Sequence, residues 1–482
     1  MLSDKFYLKY FIFTCMIFSL PFMLHGTYYL DDVYRSVYGD GSWHDLGRPL
    51  ADVVTFGLSL NYYFLSDFYP LGTILAVFFL VFVFISIKKN CLSINKAYAL
   101  LPLPLLFISP VFMQNMSYRY DSTAMILALA LAISAYYLSF SKGWKVTVGA
   151  ILLMIASLSL YQPCANIFLG LVATNLIVRI KISDNTHFKQ MFLDCAVFSL
   201  SFIAYFIVVV KFFSLGGGRA TFIRPDQLLG SLSSAMLSTR SIYVLLLLGY
   251  IKITYISLIT LALFSCVIYS IRFKPSLFYC FSFFVRINVC FALLFFSIIG
   301  TSFLVVEGIT DIRVMVGMSS VVFVLVVLAT RFYSYKITLF ISSIVTLIFI
   351  SLSFQYSNAL TSQRNFELSL LSNVARDVNY GDGGIVYISG VMPTSPVVNT
   401  SIRAIPFIGR IVPPSPPWVS RRLAAAEGIS TVENSWGGDN IDLISMVCMG
   451  KLNPEKSNPL YEIYNLNNRK FIYFKGAGSI CT

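Results

Sequence analysis

Charge is scarce in this sequence. Asp, Glu, Lys and Arg make up 12% of 482 residues, apolar residues reach 57%, and mean hydropathy is +0.77. An average soluble domain carries about 25% charged residues, so an ordinary soluble globular protein is excluded. Histidine is nearly missing, and His25, His44 and His187 are scattered along the chain. Neither HExxH nor CxxC spacing occurs, so no dedicated metal site and no cofactor are expected. Also missing are the ~10-residue alternating segments of an outer-membrane barrel and the matched inverted halves that many transporters show. No small-x-small cleavage site follows Leu24, so residues 1–25 read as an uncleaved first span.

What is present is a series of apolar runs of helix-spanning length. Unpaired backbone groups are too costly in lipid for anything but helices here. The runs predict eleven spans, at 7–24, 70–87, 97–113, 122–140, 146–160, 164–178, 191–213, 241–270, 288–306, 314–330 and 336–353. The formal charge of +13 suggests nucleic acid at first sight, but its placement does not. The N-terminus and the even-numbered connections hold 15 Lys and Arg, the odd-numbered connections 7. By the positive-inside rule the N-terminus is then cytoplasmic and the odd-numbered loops lie outside. The basic excess is a topology signal, and the lipid bilayer, not nucleic acid, is the expected partner.

Four outer segments follow: 25–69, "QNMSYRYDS" (114–122), "SLGGGRATFIRPDQ" (214–227) and "EGITDIR" (307–313). In the first, Leu50, Val53, Val54, Phe56, Gly57 and Leu60 predict an amphipathic helix along the interface. After residue 353 the spanning runs end. Helical spacing over 364–378, a buried strand at 383–390, a proline-rich loop at 411–418 and a hairpin at 461–474 predict a small outer α/β domain, 354–482, joined to a membrane domain, 1–353. Most cysteines lie in or beside spans as apolar filler. Cys448 and Cys481 lie in the polar tail, where an oxidising compartment would pair them.

The chemistry concentrates where the first span ends. "YYLDDVYRS" (28–36) puts Asp31 and Asp32 side by side, with Arg35 one helical turn on and "WHDLGRPLAD" (43–52) following. A lone Asp there would be a helix cap or a carboxylate solvated among headgroups. Two adjacent acids among outer-loop arginines fit sugar transfer from a lipid phosphate. A carboxylate takes the proton of the attacking hydroxyl, a contribution of roughly 10²–10⁴-fold. The phosphate leaving group needs cationic donors, which the planar fork of Arg supplies bidentately.

The joined set of Asp31-Asp32, Arg35, Trp43 and Gly47-Arg48-Pro49-Leu50 resembles the first outer loop of the bacterial and phage O-antigen serotype-converting membrane glucosyltransferases, with looser echoes in "RYDS" (119–122) and "YQP" (161–163). The resemblance covers the membrane region well and the tail poorly. It implies a polytopic α-helical fold of the GT-C type with a periplasmic C-terminal domain, in the bacterial inner membrane. It implies inverting transfer of glucose from undecaprenyl-phosphate glucose to an O-antigen repeat unit at the periplasmic face, with a separate donor synthase and flippase as functional partners. It also favours Asp31 as base, with Asp32 holding Arg35 or an arginine from another loop.

The remaining candidates each carry two readings. Arg48 anchors to lipid phosphate or pairs near Asp31 and Asp32. Arg119 and Asp121 pair with each other or enter the site. Arg219 and Arg224 are solvated or bind the donor phosphate. Arg313 closes a local pair with Glu307 or Asp311, or meets phosphate. Tyr161 and Gln162 end a helix or hydrogen-bond sugar, and Trp43, Trp418 and Trp436 anchor at the interface or stack on sugar. Two rival functions remain: an O-antigen ligase or polymerase, which relies on a large loop late in the chain, and a lipid-linked glycan transporter, which would carry its charges near mid-bilayer on discontinuous helices.

Overall fold

The chain enters on α1 (Asp4–His25), opened by the Ser3 side chain accepting the Phe6 N–H at 3.2 Å. A computed structural model describes residues 3–90, 97–140, 143–178, 186–213, 221–273, 277–300, 302–306, 308, 311–331, 333–378, 386–429, 445–466 and 469–477. Two short helices follow within residues 25–69, α2 (Asp31–Tyr38) and α3 (Pro49–Ser59). Next come α4 (Leu71–Asn90), α5 (Ala97–Leu100), α6 (Pro110–Met116), α7 (Ser122–Ser139), α8 (Trp144–Ala165), α9 (Ile167–Val178), α10 (Thr186–Tyr205) and α11 (Lys211–Phe213). The helical series continues with α12 (Leu228–Leu246), α13 (Gly249–Phe273), α14 (Leu277–Ile299), α15 (Met318–Thr330) and α16 (Tyr335–Asp377).

Among the described residues, six helical stretches are long and apolar enough to cross a membrane, and five shorter apolar helices accompany them. Large apolar side chains such as Phe82, Leu152, Phe192, Leu263 and Leu347 point outward from these helices, as a lipid-facing surface requires. This is a helical membrane protein, and among the described residues six stretches meet the length for a span.

Two expected spans are interrupted. Residues 97–113 form no continuous helix: α5 stops, residues Leu103–Leu106 make a 3-10 turn, and α6 restarts at Pro110. Pro102, Pro104 and Pro110 remove N–H donors and clash with the preceding turn. The unwound stretch is buried in protein, where such backbone is tolerated. The expected span 241–270 is divided between α12 and α13 at residues 247–248. The expected break at "YQP" is present, but as a kink: Tyr161 leaves helical geometry (φ −160°, ψ 103°) inside α8.

The boundary expected at 353/354 falls within α16, which runs unbroken for 43 residues. Its C-terminal end carries Leu370, Leu371 and Val374 into a second core, shared with a four-stranded sheet. That sheet has β1 (Val386–Val391), β2 (Lys456–Ser457), β3 (Tyr461–Leu466) and β4 (Arg469–Lys475) in the order β1-β4-β3-β2. β1 runs parallel to β4, and the other pairs are antiparallel. Among the described residues, α17 (Pro396–Ala404), α18 (Pro406–Ile411) and α19 (Pro417–Ala426) follow β1 in the chain before the other three strands. Most of the stretch expected as a proline-rich loop is extended, with α18 ending at Ile411 and α19 starting at Pro417.

The second core also includes Val33 of α2. The helix that bears the acid pair is therefore held by the C-terminal unit as well as by the spanning helices. A buried polar clamp adds to this. Glu367 of α16 accepts the backbone N–H and hydroxyl of Ser415 at 2.7 and 2.8 Å and pairs with Arg364 at 3.1 Å. Arg364 in turn donates to the carbonyl of Tyr28 at 2.8 Å, just before α2.

Candidate active site

Asp31 and Asp32 open α2, where acidic side chains complement the positive end of a helix. The turn into α2 is tight: Leu30 adopts φ +46°, a left-handed value that costs a non-glycine residue energy. Neighbouring side chains on a helix diverge by about 100°, and these two acids have opposite fates. Asp32 is fully buried. Its carboxylate accepts the backbone N–H groups of Tyr29 at 3.1 Å, Arg119 at 2.7 Å and Tyr120 at 3.3 Å. Burial pushes its carboxyl up to about 7, Asp121 pushes the same way, and Arg35 and the N–H donors oppose. Asp31 remains 45% exposed in its side chain and lies 4.0 Å from the guanidinium of Arg313.

The expected partnerships are rearranged. Arg35 is not held by Asp32; it pairs with Asp121 at 2.8 Å and sits 4.4 Å above the Trp43 ring. Asp121 also accepts the Trp43 indole N–H at 2.6 Å. Burial works against the Arg35 charge, but Asp121, Asp32 and Asp31 outweigh it and raise its pKa. Arg119 does not pair with Asp121. It bridges to Asp67 at 2.7 Å, donates to the carbonyl of Gly26, and lies over the rings of Tyr28 and Tyr69. The segment 114–121 is thus fastened to residues 25–69 through Asp121, Arg119 and the N–H groups that Asp32 accepts.

In "GRPL" (47–50), Gly47, Arg48 and Pro49 each have a local reason. Gly47 takes φ +73°, and a Cβ there would meet the Tyr205 hydroxyl at 2.7 Å. Pro49 starts α3, where its missing N–H costs nothing. Arg48 between them turns inward, donates to Gln162 Oε1 at 2.6 Å and lies 4.7 Å above Tyr161. Burial lowers its pKa, with Tyr161, Asp121 and Tyr205 opposing. Gln162 also donates to Leu46 O and Tyr205 Oη at 2.9 and 2.8 Å. The α8 kink is what brings Tyr161 and Gln162 to this place. α3 itself buries a small-residue face, Ala51, Thr55 and Ser59, and leaves Val53 exposed.

Arg313 lies in a 3-10 turn (Ile312–Val314) capped by Asp311. It donates to the Tyr118 hydroxyl, its backbone N–H reaches Gln114 Oε1 at 2.9 Å, and its carbonyl accepts the Tyr161 hydroxyl at 3.1 Å. Burial opposes its charge, and Tyr118, Tyr161, Asp31 and Asp311 more than offset that and raise its pKa. Shortly before it in sequence, residues 304–306 meet 221–223: Ile223 donates to Leu304 O and Val306 to Thr221 O, both at 3.0 Å. Arg224 is exposed at the start of a turn. Arg219, Gly216–Gly218, Glu307, Trp436 and Cys481 lie outside the described residues. Cys448 is disulfide-bonded. Among the described residues no three His, Cys, Asp or Glu come together to hold a metal ion.

The profile of a family described as Glucosyl transferase GtrII matches residues 20–325, well over half of the chain. The chain belongs to the GtrII glucosyl transferase family. It is a glycosyltransferase. It is also 24% identical over 432 residues to an uncharacterized 55.3 kDa protein in the gtrB 5′ region of Salmonella phage P22, covering 85% of this chain and 87% of that protein. No solved structure matches. The GtrII match takes in Asp31, Asp32, Arg35, Arg48, Arg119, Asp121, Tyr161, Gln162 and Arg313, and ends before α16 and the C-terminal unit.

Sequence reasoning missed several members of this GtrII site. Gln114, Tyr118 and Asp67 order the two arginines nearest the acids. Arg422 of α19 lies 4.4 Å above the Tyr34 ring and close enough to Asp31 for the carboxylate to oppose the lowering of its pKa by burial. Gln363, Arg364 and Glu367, clustered on α16, were the visible trace of the clamp.

Proposed function

We propose that this glucosyl transferase moves glucose from undecaprenyl-phosphate glucose to an O-antigen repeat unit at the periplasmic face of the bacterial inner membrane, in a single inverting displacement with Asp31 as general base. The observation that carries the reading is the contrast between the two acids. Asp32 is buried and committed to three backbone N–H groups, while Asp31 is accessible and faces Arg313.

In this reading the acceptor hydroxyl gives its proton to Asp31 as its oxygen bonds to the anomeric carbon. The bond from that carbon to the phosphate oxygen breaks, and the lipid phosphate leaves with the electron pair. Arg313 meets the developing charge on the phosphate, held in place by Tyr118 and Gln114. The phosphate competes with Asp31 for this guanidinium, so donor binding frees the base. Arg48, fixed by Gln162 over Tyr161, is the next cation along the same wall, and Arg219 is assigned to the donor phosphate. The C-terminal unit is periplasmic, and Cys448 pairs with Cys481. A separate synthase and flippase supply the donor.

The test is structural analysis of lipopolysaccharide from a host strain with and without the protein, with donor synthase and flippase present in both. A glucosyl branch that appears only with the protein supports the reading. An unchanged glycan contradicts it.

A further inference from the structure

On α2, Asp31, Tyr34 and Tyr38 stand at i, i+3 and i+7, one stripe of the helix. At 1.5 Å rise per residue the stripe runs about 10 Å from the acid. α19 of the C-terminal unit packs against α2 and sets Trp418 and Arg422, one turn apart, beside that stripe. The Arg422 guanidinium lies 4.4 Å above Tyr34 and 5.3 Å from Trp418, and the rings of Tyr34 and Tyr38 are 4.8 Å apart. All four side chains are partly exposed.

A strip of aromatic faces beside a fork of N–H donors suits carbohydrate. The electron-rich ring face attracts the polarised C–H groups of a pyranose, and guanidinium offers five donors to its hydroxyls. It does not suit a polyprenyl chain, which needs continuous apolar surface. The strip also starts at Asp31 on the side of the C-terminal unit, whereas Arg313 is tied to Tyr118 and Tyr161 beside the spanning helices.

We propose that Tyr34, Tyr38, Trp418 and Arg422 form the acceptor subsite, which lays an O-antigen glycan along α2 and delivers one hydroxyl to Asp31. This rests on the reading of Asp31 as base in glucosyl transfer. Specificity for the acceptor is then built jointly by the first outer segment and α19.

The test uses the full chain in lipid nanodiscs, with undecaprenyl-phosphate glucose and an O-antigen oligosaccharide of the host strain. Trp418→Leu, Arg422→Gln and Tyr38→Leu are each expected to raise the acceptor KM at least tenfold and to leave the donor KM within twofold. Trp418→Tyr should recover most of the loss. Tyr38→Leu leaves α19 untouched, so it reports on the strip even where an α19 variant is poorly folded. A normal acceptor KM in Tyr38→Leu and Trp418→Leu, or a rise in donor KM instead, overturns the subsite. Failure of the wild type to transfer glucose at all would count against the underlying reading, not against the strip alone.

Discussion

The Asp32 carboxylate accepts the Arg119 backbone N–H at 2.7 Å, joining residues 87 positions apart. That contact makes Asp32 a fastener between α2 and the 114–121 segment. Its folded-state pKa of about 7 lies above the ordinary 3.8, so folding favours the protonated form. The sign follows directly: between those values the folded state binds more protons, and stability falls as pH rises. Thermal unfolding in detergent should show a Tm that declines from pH 5 to pH 7 and levels off above. Asp32→Asn, which cannot titrate, should flatten that slope. A wild-type Tm that climbs with pH over this range would contradict the assignment.

Arg35, Asp121 and Trp43 form a buried group in which each member satisfies another. Removing one charge leaves its partner stranded, at a cost of about 3–5 kcal/mol. Arg35→Ala and Asp121→Ala should each lower the yield of folded protein sharply. The double variant should be less damaged than the two single effects predict when added. Strict additivity would show that the pair is not coupled.

Lysine substitutions should separate the arginines by task. Arg313→Lys loses the planar fork at the phosphate and should reduce kcat/KM about 100-fold with normal protein levels. Arg119→Lys loses its joint hold on Asp67 and Gly26 and should act mainly through stability. Full transfer by Arg313→Lys would move the phosphate cradle elsewhere.

The topology makes a separate prediction. Alkaline phosphatase fused after Thr482 should be active and a fusion after Lys89 inactive. The reverse pattern would put Asp31 on the wrong side for this chemistry.

Much of this molecule was legible one-dimensionally. The apolar runs, a strand expected at 383–390 and found at 386–391, and the hairpin of β3 and β4 follow from local composition. The interruption of 97–113 was also written there, in three prolines that an apolar count overrides. The pairings were not. Arg35 finds Asp121 across 86 residues and Glu367 finds Ser415 across 48, and periodicity contains nothing about such distances. Helical spacing at 364–378 was visible, but not that it continues the last span as one rod. That the Asp31 and Asp32 side chains diverge was foreseeable from helix geometry. That Asp32 serves backbone N–H groups instead of an arginine was not.

The central claim is that Asp31 takes the proton. The most direct measurement is the single-turnover rate of glucosyl transfer by Asp31→Asn and Asp32→Asn, each normalised to folded protein and donor occupancy. Asp31→Asn keeps the size of the side chain and removes the base, so its rate should fall at least ~100-fold. Asp32→Asn should cost far less per folded molecule. An Asp31→Asn enzyme that retains most of its rate, while Asp32→Asn is inert, would contradict the account.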